Sequence, residues 1–396
     1  MRRWLDEFEQ FAIEVILGNR FGKRAAILRG VLWVLSCGFL GIVQLRLRLY
    51  RKRLMRERAL GCLVISIGNL TVGGTGKTPV VEKFARALQA GGRRVAILSR
   101  GYKSKKPPFL KRLMNRLGAA QEFVPRIVSD GKSLLLDSRL AGDEPYMLAK
   151  NVPEVVVLVD RDRVKSGLYA IEKMGCDTLL LDDGLQYLRL KHRLDVVLVD
   201  SQAPFGNEFL LPRGTLREPP PNLRRASYIF VTKCVPGADN SALIERIRLY
   251  NRTAEIVECT HSPQYLENVF TGERQPLTYL KGRYIGALSA IAQPTSFEDG
   301  LRKLGAKIEL SRHFADHHRF SEKDIAGFIR RCVNRDLDAI LTTEKDCVRF
   351  PRLKDLELPV YFLRVEIEIL TGHQSWRECV DRICNPQPMM APERFF

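Results

Sequence analysis

Residues Ser66–Leu88 read SIGNLTVGGTGKTPVVEKFARAL, and no other stretch restricts the fold as much. A short apolar strand, Leu63–Ile67, runs into a glycine-rich turn and then into a helical pattern opening at Gly76. A phosphate-binding loop needs that order: backbone N–H groups at a helix N-terminus, glycines that let them point inward, a lysine and a hydroxyl. Thr71, Val72, Gly73, Gly74, Thr75, Gly76, Lys77 and Thr78 are therefore the candidates to hold the phosphates of ATP. Lys77 would neutralise the outer phosphate oxygens, and the Thr78 hydroxyl would ligate Mg2+. Pro79 suits a first helical turn, where no N–H is needed. The usual fingerprint begins with glycine, and here Thr71 stands in that place. The loop is then sound only if Gly73 and Gly74 carry the flexible point.

After residue 60, apolar runs alternate with helical patterns. Strands are expected at Cys62–Ile67, Arg94–Leu98, Val155–Val159, Thr178–Leu181, Val196–Val199 and Tyr228–Val231. Helices are expected at Lys77–Ala90, Glu144–Asn151, Arg163–Met174 and Ser241–Tyr250. A second block of the same kind begins near Lys281, with strands at Tyr284–Ser289, Ile308–Leu310, Ala339–Leu341 and Val360–Leu363. Short strands that are apolar on both faces, alternating with helices, predict an α/β fold with mostly parallel sheets. The domains follow: 1–60 an N-terminal basic and apolar segment, 61–253 an ATP-binding block, 254–280 a linker with extended strands, 281–385 a second block, 386–396 a tail.

The formal charge is +19, which calls for an anionic partner. Residues 1–60 hold 13 Lys/Arg and 5 Asp/Glu, so nearly half the excess lies there. That segment also carries the most apolar run, Val31–Leu45, followed by Arg46, Arg48, Arg51, Lys52, Arg53, Arg56 and Arg58. An apolar run with a basic flank predicts association with an anionic membrane surface rather than with nucleic acid. The run is shorter than the roughly 20 residues of a span. Basic residues on both sides favour the cytoplasmic face. The nine cysteines show neither CxxC pairs nor zinc spacing, as in a protein of reduced thiols.

Four further fragments carry chemistry. DTLLLDDGLQY ends a buried strand in Asp182 and Asp183, where a carboxylate is placed to hold Mg2+ beside a phosphate loop. AGDEPYMLA offers Asp143 and Glu144, although Asp-Glu-Pro is also ordinary helix-start grammar. HFADHHRFS sets Asp316, His317 and His318 between a strand and a helix, and a carboxylate beside a histidine makes a proton-transfer pair. LLPRGTLREPP presents Arg217 and Glu218, which suit a phosphate or a sugar hydroxyl. SRGY (Ser99–Tyr102) and TTEKD (Thr342–Asp346) are unusual as well, the latter equally readable as a charged turn.

Taken in order, GNLTVGGTGKTP, SRGY, GDEP, DDGLQ, LREP, DHH and TEKD resemble the tetraacyldisaccharide 4'-kinase family over about residues 65–365. The family carries a threonine at the first loop position. The resemblance implies two α/β/α domains of P-loop NTPase type, with the active site between them. It implies transfer of the ATP γ-phosphate to the 4'-hydroxyl of an acylated glucosamine disaccharide 1-phosphate, giving lipid IVA, at the cytoplasmic face of the inner membrane. By position it assigns Asp143 and His317 as the catalytic pair, and Thr78, Glu144, Asp182 and Asp183 to the metal. Gln186, Arg217 and Glu218 fall on the substrate side. The sequence departs from the family pattern at Tyr187, where a histidine is usual, and in a long Lys-rich insertion, Lys103–Arg116. The competing reading is a P-loop ATPase switch of the partitioning or metal-chaperone type, which uses similar loops.

Overall fold

The computed structural model describes residues 2–101, 124–353 and 356–385. The Lys-rich loop 103–116 and the tail 386–396 lie outside the described residues. Seven strands form the first block: β1 (Leu63–Asn69), β2 (Val95–Ser99), β3 (Arg126–Asp130), β4 (Val156–Val159), β5 (Thr178–Asp182), β6 (Leu194–Asp200) and β7 (Tyr228–Thr232). Two link the blocks, β8 (Glu255–Asn268) and the short β9 (Arg274–Gln275). The second block holds β10 (Tyr284–Ser289), β11 (Lys307–His313), β12 (Ala339–Thr343) and β13 (Val360–Thr371). The strand order is β11-β10-β12-β13-β8-β7-β6-β1-β5-β2-β4-β3, so both blocks share one sheet.

All pairings within the two blocks are parallel except β3 with β4. The segment expected as a linker with extended strands joins the blocks through β8. This strand runs parallel to β7 and antiparallel to β13, with Leu266 opposite Leu363.

Both faces of the sheet are covered, which explains its near-continuous apolar strands. On β1, Ile65 and Ile67 pack with Phe84 of helix Lys77–Ala90, whereas Val64 faces the other way, toward Val164 and Ala170 of helix Arg163–Glu172. On β12, Ile340 meets Phe328 of helix Glu322–Val333, and Ala339 and Leu341 meet Leu301 of helix Pro294–Lys303. Phe84 is fully buried and meets Trp376 edge-on at 4.7 Å, so the phosphate-loop helix is clamped from its outer side by the C-terminal helix His373–Cys384. Burying one such ring contributes about 2–3 kcal/mol.

The N-terminal apolar run is part of a longer helix, Lys23–Arg51, of 29 residues. Among the described residues it is the one helix long and apolar enough to cross a membrane. Ile27, Val31, Trp33, Val34, Leu35, Ile42 and Leu45 are exposed along it. Two contacts tie it to the body: the buried Ser36 donates through Oγ to the Leu210 carbonyl at 2.5 Å, and the exposed Arg46 donates to the Gln186 carbonyl at 3.1 Å.

Candidate active site

The ends of β1, β2, β5, β6 and β7 meet at the carboxyl edge of the first block, where open α/β sheets place their ligands. The phosphate loop leaves β1 there. Gly73 and Gly76 take positive φ, 124° and 79°, and Thr71 does not, so the first loop position has no need of glycine. Thr71 instead bridges to Leu216, and the Val72 N–H donates to the Thr215 carbonyl at 2.7 Å. Segment Leu210–Arg217 thereby straps the front of the loop, and Thr232 supports its back by donating to the Thr75 carbonyl at 2.8 Å. A side chain built on Gly73 or Gly74 would meet no atom within 4 Å, whereas one on Gly76 would strike His261 Nε2 at 2.7 Å. The space over Gly73 and Gly74 and the buried, unpartnered Thr75 Oγ1 fit a phosphate chain.

Lys77 Nζ donates to Asn69 Oδ1 at 3.2 Å and lies 3.8 Å from Asp183 Oδ1. Arg217 closes the same cluster, on Asp183 Oδ2 at 2.8 Å, on the Thr71 carbonyl at 3.1 Å and on Asn69 Oδ1. Burial alone would raise the Asp183 carboxyl, but Lys77 and Arg217 outweigh it and hold it below its ordinary value. Asp182, one residue earlier, is 4 % exposed and accepts from Ser99 Oγ at 3.0 Å, so SRGY supplies an anchor for DDG. Burial pushes the Asp182 carboxyl up, and the charges of Glu144 and Asp183 push it further. Two carboxylates that repel Asp182, those of Glu144 and Asp183, suit a divalent cation held together with bound phosphate. Among the described residues no three His, Cys, Asp or Glu side chains form a metal cage by themselves. Magnesium held jointly with phosphate oxygens needs no such cage.

Gln186 and Glu218 hold the strap from behind. Gln186 Nε2 donates to the Asn69 carbonyl at 3.2 Å and to Glu218 Oε1 at 3.0 Å. Glu218 is 3 % exposed and is also held by Asn222 and Arg225, each at 2.7 Å. Tyr187 donates its hydroxyl to Asp162 at 3.1 Å and packs on the Arg163 guanidinium.

The second cluster joins both blocks. Asp143 opens helix Asp143–Asn151, and its Oδ2 lies 3.2 Å from Nδ1 of His317, a residue 174 positions away. His317 has φ 65°, and this left-handed turn aims its ring at Asp143 while sending its neighbour elsewhere. His318 stacks on Phe314 and reaches Asp324 at 3.2 Å. Asp143 also accepts from Arg349 Nε at 2.8 Å and from Arg319 Nη2 at 3.4 Å. Burial would raise the Asp143 carboxyl, yet the His317 hydrogen bond and the Arg349 and Arg319 charges bring it below its ordinary value. Lys345 of TEKD lies 3.5 Å from His317 Nε2 and 4.0 Å from Glu144, linking this cluster to the acidic one. The sequence reading missed Asn69, Arg319 and Arg349. The asparagine in GNLT was a weak signal, and the two arginines stand in no pattern.

A glycine-rich loop with its lysine, acidic groups beside it and a carboxylate–histidine pair across a two-block sheet define a P-loop phosphotransferase. The family model described as Tetraacyldisaccharide-1-P 4'-kinase matches residues 28–385. A Tetraacyldisaccharide 4'-kinase of Syntrophus aciditrophicus is 39% identical over 341 residues, 83% of this chain and 86% of that protein. One from Anaeromyxobacter sp. (strain K) is 37% identical over 384 residues, 94% and 96% of the two chains. The crystal structure of Aquifex aeolicus LpxK in complex with ATP aligns with TM-score 0.69 at 29% identity, covering 90% of this chain and 99% of that one. The chain belongs to the tetraacyldisaccharide 4'-kinase family, whose members are kinases of lipid A biosynthesis. The switch-ATPase reading is not favoured.

Proposed function

We propose that this kinase moves the γ-phosphate of ATP onto the 4'-hydroxyl of a tetraacyldisaccharide 1-phosphate, at the cytoplasmic face of the inner membrane. The observation that carries the chemistry is the Asp143–His317 contact at 3.2 Å, beside Glu144, whose charge reaches the phosphate loop's acidic pair at Asp182. Phosphoryl transfer is limited by positioning and charge neutralisation rather than covalent chemistry. Loop N–H groups and Lys77 receive the phosphates. Asp143 is held ionised by its neighbours and accepts the hydroxyl proton as the oxygen attacks, with His317 sharing that proton. Thr78, Glu144, Asp182 and Asp183 would hold Mg2+, which when bound offsets charge on the transferring phosphate. Arg217, held against the loop by Asp183 and the Thr71 carbonyl, would meet an anionic part of the substrate.

The N-terminal helix supports the membrane reading. Its exposed apolar side belongs in the acyl region, while Ser36 and Arg46 tie the helix to the strap and to Gln186. A helix held along the body at these points lies in the interface rather than across the bilayer. Such a placement keeps the acyl chains in lipid while the sugar reaches the loop. The test is incubation with ATP, Mg2+ and tetraacyldisaccharide 1-phosphate in mixed micelles. One phosphate added at the 4' position is expected; ATP consumption with unchanged lipid would refute the proposal.

A further inference from the structure

Arg29 on helix Lys23–Arg51 and Arg213 in the turn of the strap Leu210–Arg217 lie close enough for the charge of one to act on the other. Among the described residues no carboxylate pairs with either. The acids nearest in sequence are engaged elsewhere, Glu14 with Arg20 at 3.3 Å and Glu208 with Arg246 at 2.7 Å. Arg29 donates through Nη2 to the Arg20 carbonyl, but its Nε is buried without a partner, as is Nη1 of Arg213. Each guanidinium lies over a phenylalanine ring, Arg29 over Phe21 at 5.2 Å and Arg213 over Phe209 at 4.4 Å. Partial burial, and then the charge of Arg29, hold the Arg213 guanidinium below its ordinary value.

The turn that carries Arg213 is fixed on both sides. The Gly214 N–H donates to the Leu210 carbonyl at 2.9 Å, and a side chain built on Gly214 would strike Asn207 and the Phe209 carbonyl. Asn207 Nδ2 donates to the Ile16 carbonyl at 2.8 Å and to the Arg213 carbonyl at 3.4 Å, which ties the turn to the first helix, Arg2–Leu17. Ser36 ties Leu210 to the second. Two guanidiniums brought together with bare buried donors are unfavourable unless an anion meets them. A guanidinium fork matches the paired oxygens of a phosphate.

The surroundings say which phosphate. Arg217, at the other end of the strap, is held at the phosphate loop, whereas Arg213 is held at the helices. Leu17, Phe21, Ile27 and Phe209 are exposed there, and the stretch from Arg20 to Arg29 adds Lys23 and Arg24 with no acid. Cations beside exposed apolar side chains suit a headgroup with its acyl chains. We propose that Arg29 and Arg213 form a binding site for the phosphodiester headgroup of an anionic membrane phospholipid. A lipid held there sets the strap, and the phosphate loop behind it, at headgroup depth. This inference rests on the membrane reading of the N-terminal helices.

The test is flotation of the full chain with vesicles at about 0.5 M salt, where diffuse attraction is screened and partly buried contacts persist. One set is phosphatidylcholine with about 30 % phosphatidylglycerol; the other is digalactosyldiacylglycerol, which carries no phosphate. Arg29→Gln with Arg213→Gln should weaken binding to the first about tenfold or more and to the second less than about twofold. Arg51→Gln with Arg56→Gln removes the same charge from exposed positions and should lose less than about threefold on either set. Lysine at positions 29 and 213 keeps the charge without the fork and should still lose about threefold or more on phosphatidylglycerol. Equal losses by the two glutamine pairs, an equal loss on the phosphate-free vesicles, or parent-like binding by the lysine pair would each overturn the proposal. In micelles free of phospholipid, KM for tetraacyldisaccharide 1-phosphate should stay within about threefold in the Arg29→Gln, Arg213→Gln pair. A rise of about tenfold there would show that the two arginines receive the substrate's own phosphate, and would also overturn it. A parent that floats with neither set would remove the membrane reading and this site with it. A floating parent beside an unaffected glutamine pair would sink the site alone.

Discussion

Arg364→Met is the substitution whose consequences the structure defines most closely. Arg364 on β13 is 3 % exposed and donates through Nη1 to both Glu344 oxygens, at 2.9 and 3.1 Å. Its Nη2 reaches Glu82, on the helix that begins with Lys77, and Glu366 at 3.2 Å. Asn151, at the far end of the Asp143 helix, bridges Glu82 at 3.1 Å and Glu344 at 2.6 Å. One guanidinium therefore joins the phosphate-loop helix, the Asp143 helix and the TEKD turn.

Methionine fills the space but leaves two carboxylates inside, Glu82 with Arg86 at 2.9 Å and the Asn151 amide at 3.1 Å, and Glu344 with the Asn151 amide at 2.6 Å. Breaking a buried pair this way costs about 3–5 kcal/mol, a large part of the roughly 5–15 kcal/mol that keeps a domain folded. The pH dependence has a definite sign. Burial pushes the Glu344 carboxyl up, even though Arg364 pulls it down, and removing Arg364 raises it further. A carboxyl raised on folding binds its proton more tightly in the folded state. The deficit is therefore full above the folded value and fades as pH falls toward the unfolded value, about 4.3. Urea unfolding at about pH 8 and about pH 5 should show the gap between parent and variant narrowing at the lower pH. Adding Glu344→Gln should restore part of the loss, since the stranded charge is then gone. A variant within about 0.5 kcal/mol of the parent at pH 8, or a gap that widens in acid, would refute this reasoning.

Lys77→Ala removes the ammonium beside Asn69 and Asp183, and turnover should fall by about 100-fold or more; near-normal turnover would sink the phosphate-loop assignment. Gly76→Ala forces a side chain into a left-handed turn, about 1–2 kcal/mol, and against His261 on β8. KM for ATP should rise about tenfold or more, and trimming with His261→Ala should recover only the steric part. Replacing the exposed Ile27, Val34 and Ile42 with glutamate should release the protein from anionic vesicles in flotation while leaving the Ser36 contact intact. Unchanged flotation would contradict the interfacial helix.

Most strands of the two blocks were legible because they are short apolar runs between turn residues; β3, RIVSD, was not expected, since only Val128 and Ser129 of its five residues are buried. β5 was expected at Thr178–Leu181 and spans Thr178–Asp182. β8 was harder: ECTHSPQYLEN mixes polar and apolar residues because the strand is only partly covered. The N-terminal helix outruns its apolar core because its arginines continue the helical turn with their heads in water. At the site, the phosphate loop was readable from chemistry alone, and Thr71 from the resemblance. Asp143 and His317 come together only through the sheet, so no spacing in the sequence could pair them. Arg364 did leave a trace, as a lone cation inside the apolar run VYFLRVEIEIL. Arg349 left none, since its meaning lies wholly in what the fold sets around it.

The most direct test of the account is single-turnover phosphorylation of tetraacyldisaccharide 1-phosphate by the parent and by Asp143→Asn, with ATP affinity measured in parallel. The account predicts one phosphate transferred by the parent, and a chemical step slowed by about 10²–10⁴-fold in the variant at unchanged ATP affinity. Parent-like transfer by Asp143→Asn, or a loss explained entirely by weaker ATP binding, would contradict it.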